Sequence, residues 1–262
     1  MGYLNVQELI DQGKWEYSYS KLSQFDECPY SFFLQRIEKD EFDMPLEGVE
    51  NAYAQVGSLV HSLIDEWAKG KLTAEDLANE YVIRYPEVVT QAFPRFIKNA
   101  AQSSYDKCLD YFLNFDEFKG YKILSSEQTV HGTIANRPFI GIIDMILERE
   151  EDGHLIVLDH KSKSMSSFKS SQKKMWRQQL LYSTFVHDRY GRWPDECAFN
   201  LFKEQKIITK PFTEKDYKEA VKWAGDIMDQ IESFEYFDWL TQKEKPDMFC
   251  MALCNMREHC QE

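Results

Sequence analysis

The chain has 262 residues, a formal net charge of −13, and 43% hydrophobic and 15% aromatic residues. This length and composition allow a sizeable buried core and argue against a disordered chain. The acidic total excludes a generally basic coat for nucleic acids. It leaves room for a local basic patch, because phosphates are contacted by individual Lys and Arg side chains.

No apolar run approaches the ~20 residues that a membrane span needs. The N-terminus also lacks the basic and apolar segments of a secretory signal. We therefore expect a cytoplasmic protein with no membrane partner. In that compartment the six cysteines are expected to be thiols or metal ligands rather than disulfides.

The first half of the chain is typical of a helical region. Residues 38–50 are acidic and irregular, which predicts a loop. Apolar residues then recur at helical spacing over residues 52–69, which predicts an amphipathic helix. Further helices are expected over residues 73–118, with interruptions near Pro86 and Pro94.

The second half changes to strand patterns. We predict strands over residues 121–131, 138–149, 154–161, 196–203 and 205–211. A helix over residues 175–188 lies between the third and fourth strands, and a long amphipathic helix over residues 214–234 precedes the C-terminal tail. This order favours an α/β core with a helical arm over a doubly wound repeat.

Two neighbouring apolar strands each contain a carboxylate. Asp144 lies inside GIIDMIL, and Asp159 follows the apolar run of LIVLDHK, in which Lys161 comes two residues later. Acids on adjacent strands can converge at one edge of a sheet, where oxygen ligands suit Mg²⁺ or Mn²⁺. The lysine could orient a water or offset charge on a phosphate. Alone, the pattern is also compatible with a satisfied polar residue at Asp144 and a solvated turn at Asp159 and Lys161.

GIIDMIL followed by LIVLDHKS resembles the PD-(D/E)XK nuclease superfamily in its RecB-like branch, with Ile143 in place of the nominal proline. The resemblance implies that Asp144 and Asp159 are metal ligands. It implies that Lys161 is the catalytic lysine, which positions the attacking water. The backbone carbonyl of His160 is the further ligand that it implies.

Three other features resemble the same branch. Gly57 to His61 matches its helical G-x-x-x-H motif, which implies that His61 completes the metal shell; alone, His61 could be a helix-surface or satisfied core histidine. Gln178 and Tyr182 match its Q-x-x-x-Y motif, and their spacing places both on one helix face, able to approach the acidic site or DNA. Glu127 matches an acid that often precedes the first aspartate, with an outer-shell role.

Three cysteines, Cys250, Cys254 and Cys260, crowd the end of the chain, and Cys28 could supply a fourth thiolate. Four thiolates could bind Zn²⁺ or an iron–sulfur cluster, and three unrelated thiols are the alternative; the spacing does not choose. With SYSKLSQFDECPYSFFLQ near the start, the set resembles the iron–sulfur staple of the AddB nuclease domain and of CRISPR-associated adaptation nucleases. There the first gap is often two residues, and here it is three. The resemblance implies a [4Fe–4S] cluster, with zinc as the alternative.

Such a cluster would close a loop of 250 − 28 = 222 residues. A cross-link over so long a loop removes conformational freedom from the unfolded chain. We therefore expect a structural role for the cluster rather than a catalytic one.

A basic run without intervening acids follows Lys161. It could be a flexible, solvated loop, or a loop that contacts phosphates beside the site, with Trp176 or Tyr182 available to stack on bases. The candidate DNA-binding residues are Lys163, Lys169, Lys173, Lys174, Trp176 and Arg177.

The resemblance covers residues 18 to 260 and implies a restriction-endonuclease-like α/β fold, a central mixed sheet flanked by helices, with an N-terminal helical arm and a cysteine-rich C-terminal tail. We expect a single nuclease domain over residues 1–262. Its parts are an N-terminal segment with Cys28, a helical arm with His61, a catalytic core, and a C-terminal helix with the cluster-binding tail, over residues 1–50, 51–120, 121–212 and 213–262.

The implied function is a Mg²⁺- or Mn²⁺-dependent deoxyribonuclease. The family implies an exonuclease more than an endonuclease, with single-stranded DNA ends as substrate and 5′-phosphate products. Recombination and repair, CRISPR adaptation and phage DNA metabolism all use this architecture, and a helicase or another partner would supply unwinding. The alternatives are a catalytically weak DNA-binding module and a zinc-stapled adaptor of a larger DNA-processing complex.

Overall fold

The computed structural model describes residues 5–40, 42–116, 118–244 and 247–260. Contacts between residues divide the chain into two compact units. The terminal unit comprises Met1–Asn51, His131–Gly141 and Lys218–Glu262. The sheet unit comprises Ala52–Val130 and Ile142–Tyr217.

The strands form a mixed five-stranded sheet in the order β1-β2-β3-β4-β5. Their bounds are β1 Tyr121–Ile134, β2 Arg137–Arg149, β3 Leu155–His160, β4 Glu196–Leu201 and β5 Lys206–Pro211. Strand β3 pairs antiparallel with β2 and parallel with β4, and β5 runs antiparallel to β4. The predicted α/β class and central mixed sheet are confirmed.

The helices described in the sheet unit are α4 Ala52–Ala68, α5 Leu77–Val88, α6 Ala100–Leu113 and α7 Met165–Tyr190. The apolar faces of α4, α5 and α6 share one buried core with inward-facing residues of β2, β3 and β4. Helix α7 carries the chain from β3 to its parallel neighbour β4, the connection that parallel strands require.

One prediction about the helices is wrong in detail. Helix α7 begins at Met165 instead of residue 175, and the Ser164 hydroxyl caps it by accepting a hydrogen bond from the Ser167 amide. Phe168 is buried, so the first turn of α7 packs on one side despite its serine-rich sequence. The predicted interruption near Pro86 and Pro94 is confirmed, because α5 ends at Val88, two residues after Pro86, and α6 begins at Ala100.

The terminal unit contains short helices and most of one long helix. They are α1 Val6–Asp11, α2 Tyr19–Glu27, α3 Pro29–Arg36, α8 Glu214–Ser233, α9 Tyr236–Thr241, α10 Met248–Ala252 and α11 Arg257–Cys260. The fully buried Trp239 stacks on Phe32 and Phe33 and meets Phe25 and Phe234 edge-on. In the described ranges, no helix combines the length and apolar character needed to cross a membrane.

Candidate metal centre and its cleft

The antiparallel pairing of β2 with β3 brings the two predicted aspartates side by side. Met145 of β2 pairs with Leu158 of β3, so Asp144, one residue earlier, and Asp159, one residue later, are neighbours across the strands. Directly opposed residues share one face of the sheet. Both side chains are buried, at 9% and 2% exposure.

His61 reaches this face from α4. Its Nδ1 lies 3.4 Å from Asp144 Oδ2 and 3.5 Å from Glu127 Oε1. Its Nε2 lies 2.9 Å from the carbonyl oxygen of His160. Because a carbonyl can only accept a hydrogen bond, Nε2 carries a proton, and Nδ1 is the nitrogen that faces the two acids and would ligate a bound cation. Metal-binding histidines characteristically donate their second N–H in this way.

Glu127 comes from β1 through an unusual backbone. Its φ is +45°, the left-handed region, which costs an L-residue about 1–2 kcal/mol. One donor atom each from His61, Glu127 and Asp144 lies within 4.8 Å of the others, a spacing that could hold a metal ion. From the sequence we predicted an outer-shell role for Glu127, whereas its carboxylate lies among the candidate ligands.

Asp159 has a different environment from Asp144. Its Oδ1 accepts a hydrogen bond from Gln178 Nε2 at 2.7 Å, and its Oδ2 lies 2.7 Å from Lys161 Nζ. Among the residues described, it is not part of the three-residue donor group. Both oxygens are thus held by Gln178 and Lys161, and the predicted ligand role of Asp159 stays a prediction.

The ionisable side chains of the site shift one another's pKa values. Burial raises the pKa of Asp159 to about 6, against the opposing effect of Lys161. Burial likewise raises the pKa of Asp144, and His61 and Lys161 oppose it. Burial would lower the pKa of His61, but Asp144 and the hydrogen bond with Glu127 outweigh it, so that this pKa is raised. The site therefore makes its acids harder to ionise unless a cation compensates them.

His160 contributes through its backbone. Its amide donates to Asp144 Oδ2 at 2.8 Å, in addition to the contact of its carbonyl with His61. The buried ring lies against Asn200, with Nδ1 3.2 Å from the Asn200 amide nitrogen, and burial holds the pKa of His160 well below its usual range. The ring therefore stays neutral and structural. The carbonyl that was predicted as a metal ligand already contacts a candidate ligand.

The two predicted aromatic contacts to DNA are buried. Trp176 is 5% exposed and packs against Phe168 and Phe199, so its ring is not available to stack on a base, and this prediction is wrong. Tyr182 is 6% exposed on the same helix as Gln178, and burial raises its pKa, with a further contribution from Asp159. Tyr182 thus faces the acidic site, as its spacing from Gln178 predicts.

The predicted basic residues lie on the first turns of α7 and just before it. Lys169, Lys173 and Lys174 are exposed, and Lys163 and Arg177 are partly exposed. Helix α7 fixes the backbone positions from which Lys169, Lys173 and Lys174 project, whereas a loop was predicted here.

A cleft of about 640 Å³ opens onto the candidate ligands. Small side chains of α4 line one part of it, and Lys161 and Ser162 line another. The lining residues are Ala54, Gly57, Ser58, His61, Ser62, Asp65, Glu127, His160, Lys161 and Ser162. A ligand in this cleft would meet His61, Glu127 and Lys161 together.

The four candidate cluster cysteines all belong to the terminal unit. Cys28 caps α3, where its sulfur accepts a hydrogen bond from the Ser31 amide at 3.3 Å, and the Ser31 hydroxyl lies 3.7 Å from Cys254 Sγ. Burial raises the pKa of Cys260, and Cys28 and Cys254 raise it further. A backbone hydrogen bond with Asp247 opposes the rise, but burial and the Asp247 carboxylate raise the pKa of Cys250, and Cys254 adds to it. Cys28, from near the start of the chain, therefore lies close to Cys254 and Cys260, from near its end.

Comparison with known families identifies the fold. The model of the PD-(D/E)XK nuclease superfamily matches residues 16–261. The chain belongs to this superfamily. A search of curated protein sequences gave no match. Similar solved structures include a "Putative exonuclease" from Eubacterium rectale at 2.19 Å resolution. It is 14% identical, and the match covers 99% of this chain and 94% of that one, with a TM-score of 0.47.

PD-(D/E)XK nucleases use divalent metal ions, and the donor set of this one fits such an ion. Carboxylate oxygens with one imidazole nitrogen suit Mg²⁺ or Mn²⁺ better than a thiolate-preferring metal. The buried acids with raised pKa are a second sign, because burial outweighs the positive charges beside them and a bound cation would offset it.

The stabilisation of this PD-(D/E)XK nuclease by Mn²⁺ is expected to increase with pH. A carboxylate whose folded pKa is raised stabilises the metal-free fold below its unfolded pKa, and this contribution is lost as pH rises through the folded pKa, for Asp159 about 6. Metal binding requires the ionised acids, so it offsets that loss. Thermal unfolding with and without Mn²⁺ should show a larger rise in Tm at about pH 7.5 than at about pH 5. An equal rise in Tm at the two pH values would contradict this prediction. In Asp144→Asn, Mn²⁺ should raise the Tm little at either pH.

Proposed function

We propose that this nuclease is a Mg²⁺- or Mn²⁺-dependent deoxyribonuclease of the RecB-like branch. In this proposal it acts in the cytoplasm as an exonuclease on single-stranded DNA ends and leaves 5′-phosphate products. The observation that carries the proposal is the convergence of His61, Glu127 and Asp144 at a cleft that Lys161 also lines. Its pathway would be recombination and repair, CRISPR adaptation or phage DNA metabolism, with a partner such as a helicase to separate strands.

His61, Glu127 and Asp144 would hold the cation, and Asp159 would join them through an oxygen now held by Gln178 or Lys161. A bound cation supplies Lewis acidity toward the phosphate and lowers the pKa of a nucleophilic water. His61 is oriented for this role by the His160 carbonyl, and Asp144 by the His160 amide.

Lys161 would act on the phosphate or on the attacking water. Burial opposes its charged form, but Asp159 and Asp144 raise its pKa above the usual lysine value, so its ammonium group stays charged at neutral pH. The ion pair with Asp159 fixes Nζ at the cleft, and Gln178 in turn fixes Asp159. A preorganised ammonium donor is suited to charge that develops on phosphate oxygens.

The basic face of α7 would guide the DNA backbone toward the cleft. The exposed Lys169, Lys173 and Lys174, with Lys163 and Arg177, would contact phosphates rather than bases. Lys161, four residues before the first residue of α7, connects this face in sequence with the catalytic site. With a net charge of −13, the rest of the surface would repel DNA and favour one path.

We further propose that Cys28, Cys250, Cys254 and Cys260 hold a [4Fe–4S] cluster, with zinc as the alternative. The Ser31 amide donates to Cys28 Sγ and the Ser31 hydroxyl lies 3.7 Å from Cys254 Sγ, and hydrogen bonds to ligating sulfurs tune the reduction potential of such clusters.

Anaerobic purification tests the cluster. The wild-type protein should be brown and contain about four iron and four sulfide per chain, and Cys254→Ala should lose both. Cys108→Ala is the matched control, because Cys108 is buried in the sheet unit, and it should keep the iron. A colourless protein with stoichiometric zinc would contradict the cluster and favour the adaptor alternative.

End-labelled DNA tests the activity. With Mn²⁺, the wild-type protein should shorten single-stranded DNA from an end faster than duplex DNA, and Asp159→Ala should not, because Asp159 holds Lys161. Metal-independent cleavage, or equal cleavage by wild type and variant, would contradict the proposed site. DNA binding without any cleavage would favour the DNA-binding module.

A further inference from the structure

A hydrogen bond ties strand β1 to helix α4 beside Glu127. Ser126 Oγ donates to Asp65 Oδ1 at 2.8 Å. Asp65 lies four residues after His61, so both side chains project from the same face of α4, and both line the cleft. The contact therefore joins the strand that carries Glu127 to the helix that carries His61.

The backbone at Glu127 needs such support. Its left-handed φ of +45° interrupts an extended strand, and a conformation of this kind persists only where its surroundings impose it. A residue inserted in this way re-aims its side chain, as β-bulges beside active sites do. Of the polar side chains next to it, Ser125 Oγ and Gln128 Oε1 are buried with no hydrogen-bond partner among the described residues, whereas Ser126 has Asp65.

Asp65 has a second contact that provides a control. Lys69 Nζ lies 2.8 Å from its carboxylate, four residues further along the chain and just after the end of α4. This ion pair is partly exposed and joins Asp65 only to the turn that follows its own helix, so it does not reach β1. Its removal perturbs the charge of Asp65 but leaves the hydrogen bond to Ser126.

We propose that Asp65 is a positioning residue for the metal centre. Through Ser126 it fixes the backbone that directs the Glu127 carboxylate at His61, while Asp65 itself lies outside the donor group found in the described residues. The inference rests on the proposed function, because it assumes that His61, Glu127 and Asp144 bind a divalent cation.

Mn²⁺ affinity, measured by calorimetry on the full chain without DNA, tests the role. Asp65→Ala and Ser126→Ala should each weaken binding on the order of tenfold, the usual effect of losing an outer-shell contact. Asp65→Asn keeps an oxygen that can accept from Ser126, so it should stay within about threefold of wild type. Lys69→Met should bind Mn²⁺ as wild type does.

A double-mutant cycle with Glu127→Ala separates positioning from general destabilisation. If Asp65 acts through Glu127, Asp65→Ala should add no further loss of Mn²⁺ affinity once Glu127 is removed. The inference is overturned if Asp65→Ala lowers Mn²⁺ affinity equally in the wild-type and Glu127→Ala proteins, or if Asp65→Ala alone binds Mn²⁺ as tightly as wild type. If Asp65→Ala does not fold, the same comparison of Mn²⁺ affinity is made with Ser126→Ala, which removes only a hydroxyl. Absence of Mn²⁺ binding by the wild type overturns the proposed function itself, and the inference with it.

Discussion

Replacing Asp144 with asparagine is expected to abolish cleavage while making the metal-free protein more stable. The amide keeps an acceptor for the His160 amide but removes a buried charge that the fold disfavours. Loss of several kcal/mol of charge stabilisation should lower the cleavage rate by on the order of a thousandfold or more. Relief of about 1 kcal/mol should raise the metal-free Tm by about 2–4 °C.

The control for this substitution is Glu148→Gln on the same strand. It removes one negative charge four residues further along β2, where Glu148 is partly exposed and outside the cleft. This variant should cleave normally and bind Mn²⁺ normally. Cleavage by Asp144→Asn at even a tenth of the wild-type rate would mean that Asp144 is not a metal ligand.

Replacing Lys161 with methionine is expected to separate metal binding from catalysis. The His61, Glu127 and Asp144 donors remain, so Mn²⁺ should still bind, while DNA cleavage should fall by on the order of 10²–10⁴-fold. Asp159 loses its ion pair, and a buried charge left alone costs about 3–5 kcal/mol. The pKa of Asp159 in the folded variant, already raised in the wild type, should rise further. The variant should therefore be destabilised most at pH values above this folded pKa, and the destabilisation should fade as pH falls toward the pKa of Asp159 in the unfolded chain.

Lys163→Met is the matched control for stability and Mn²⁺ binding, because it removes the same charge two residues away; since Lys163 is a proposed phosphate contact, this variant does not serve as a control for cleavage. Urea unfolding near pH 8 and pH 5, with cleavage and Mn²⁺ binding measured in parallel, checks the prediction. Lys161→Met should lose stability mainly at the higher pH, and Lys163→Met should change little at either. Wild-type cleavage by Lys161→Met would exclude it as the catalytic lysine.

The strands and their acids could be predicted from the sequence because each signal is local. Alternating or continuous apolar residues mark β2 and β3, and the antiparallel order of two strands joined by a short turn fixes which ends meet. Asp144, Asp159 and His61 therefore reach one site as expected. Helices α4 and α8 could also be predicted from the sequence, because their buried residues repeat at helical spacing.

The parts that were missed depend on contacts between distant segments. The sequence around Glu127 does not predict a left-handed backbone conformation, because glutamate rarely adopts one. The strand is held there by a hydrogen bond between Ser126 and Asp65 of α4, a contact between distant segments. Trp176 was expected to be exposed because lysines surround it, yet Phe168, Met175 and Trp176 share the buried side of α7. The start of α7 was missed because serines compete with helix formation unless one of them caps it.

All six residues of β3 are buried, and the strand is hydrogen-bonded to a neighbour on both sides. Asp159 is the penultimate residue of this ladder, and beyond its last residue the Lys161 amide extends the pairing by donating to the Asn200 carbonyl. Backbone amides in such a position exchange with solvent only in the rarest, most global openings of a protein. Loss of the metal would therefore leave the backbone that carries Asp159 in place, so that the metal could bind again without refolding of the sheet.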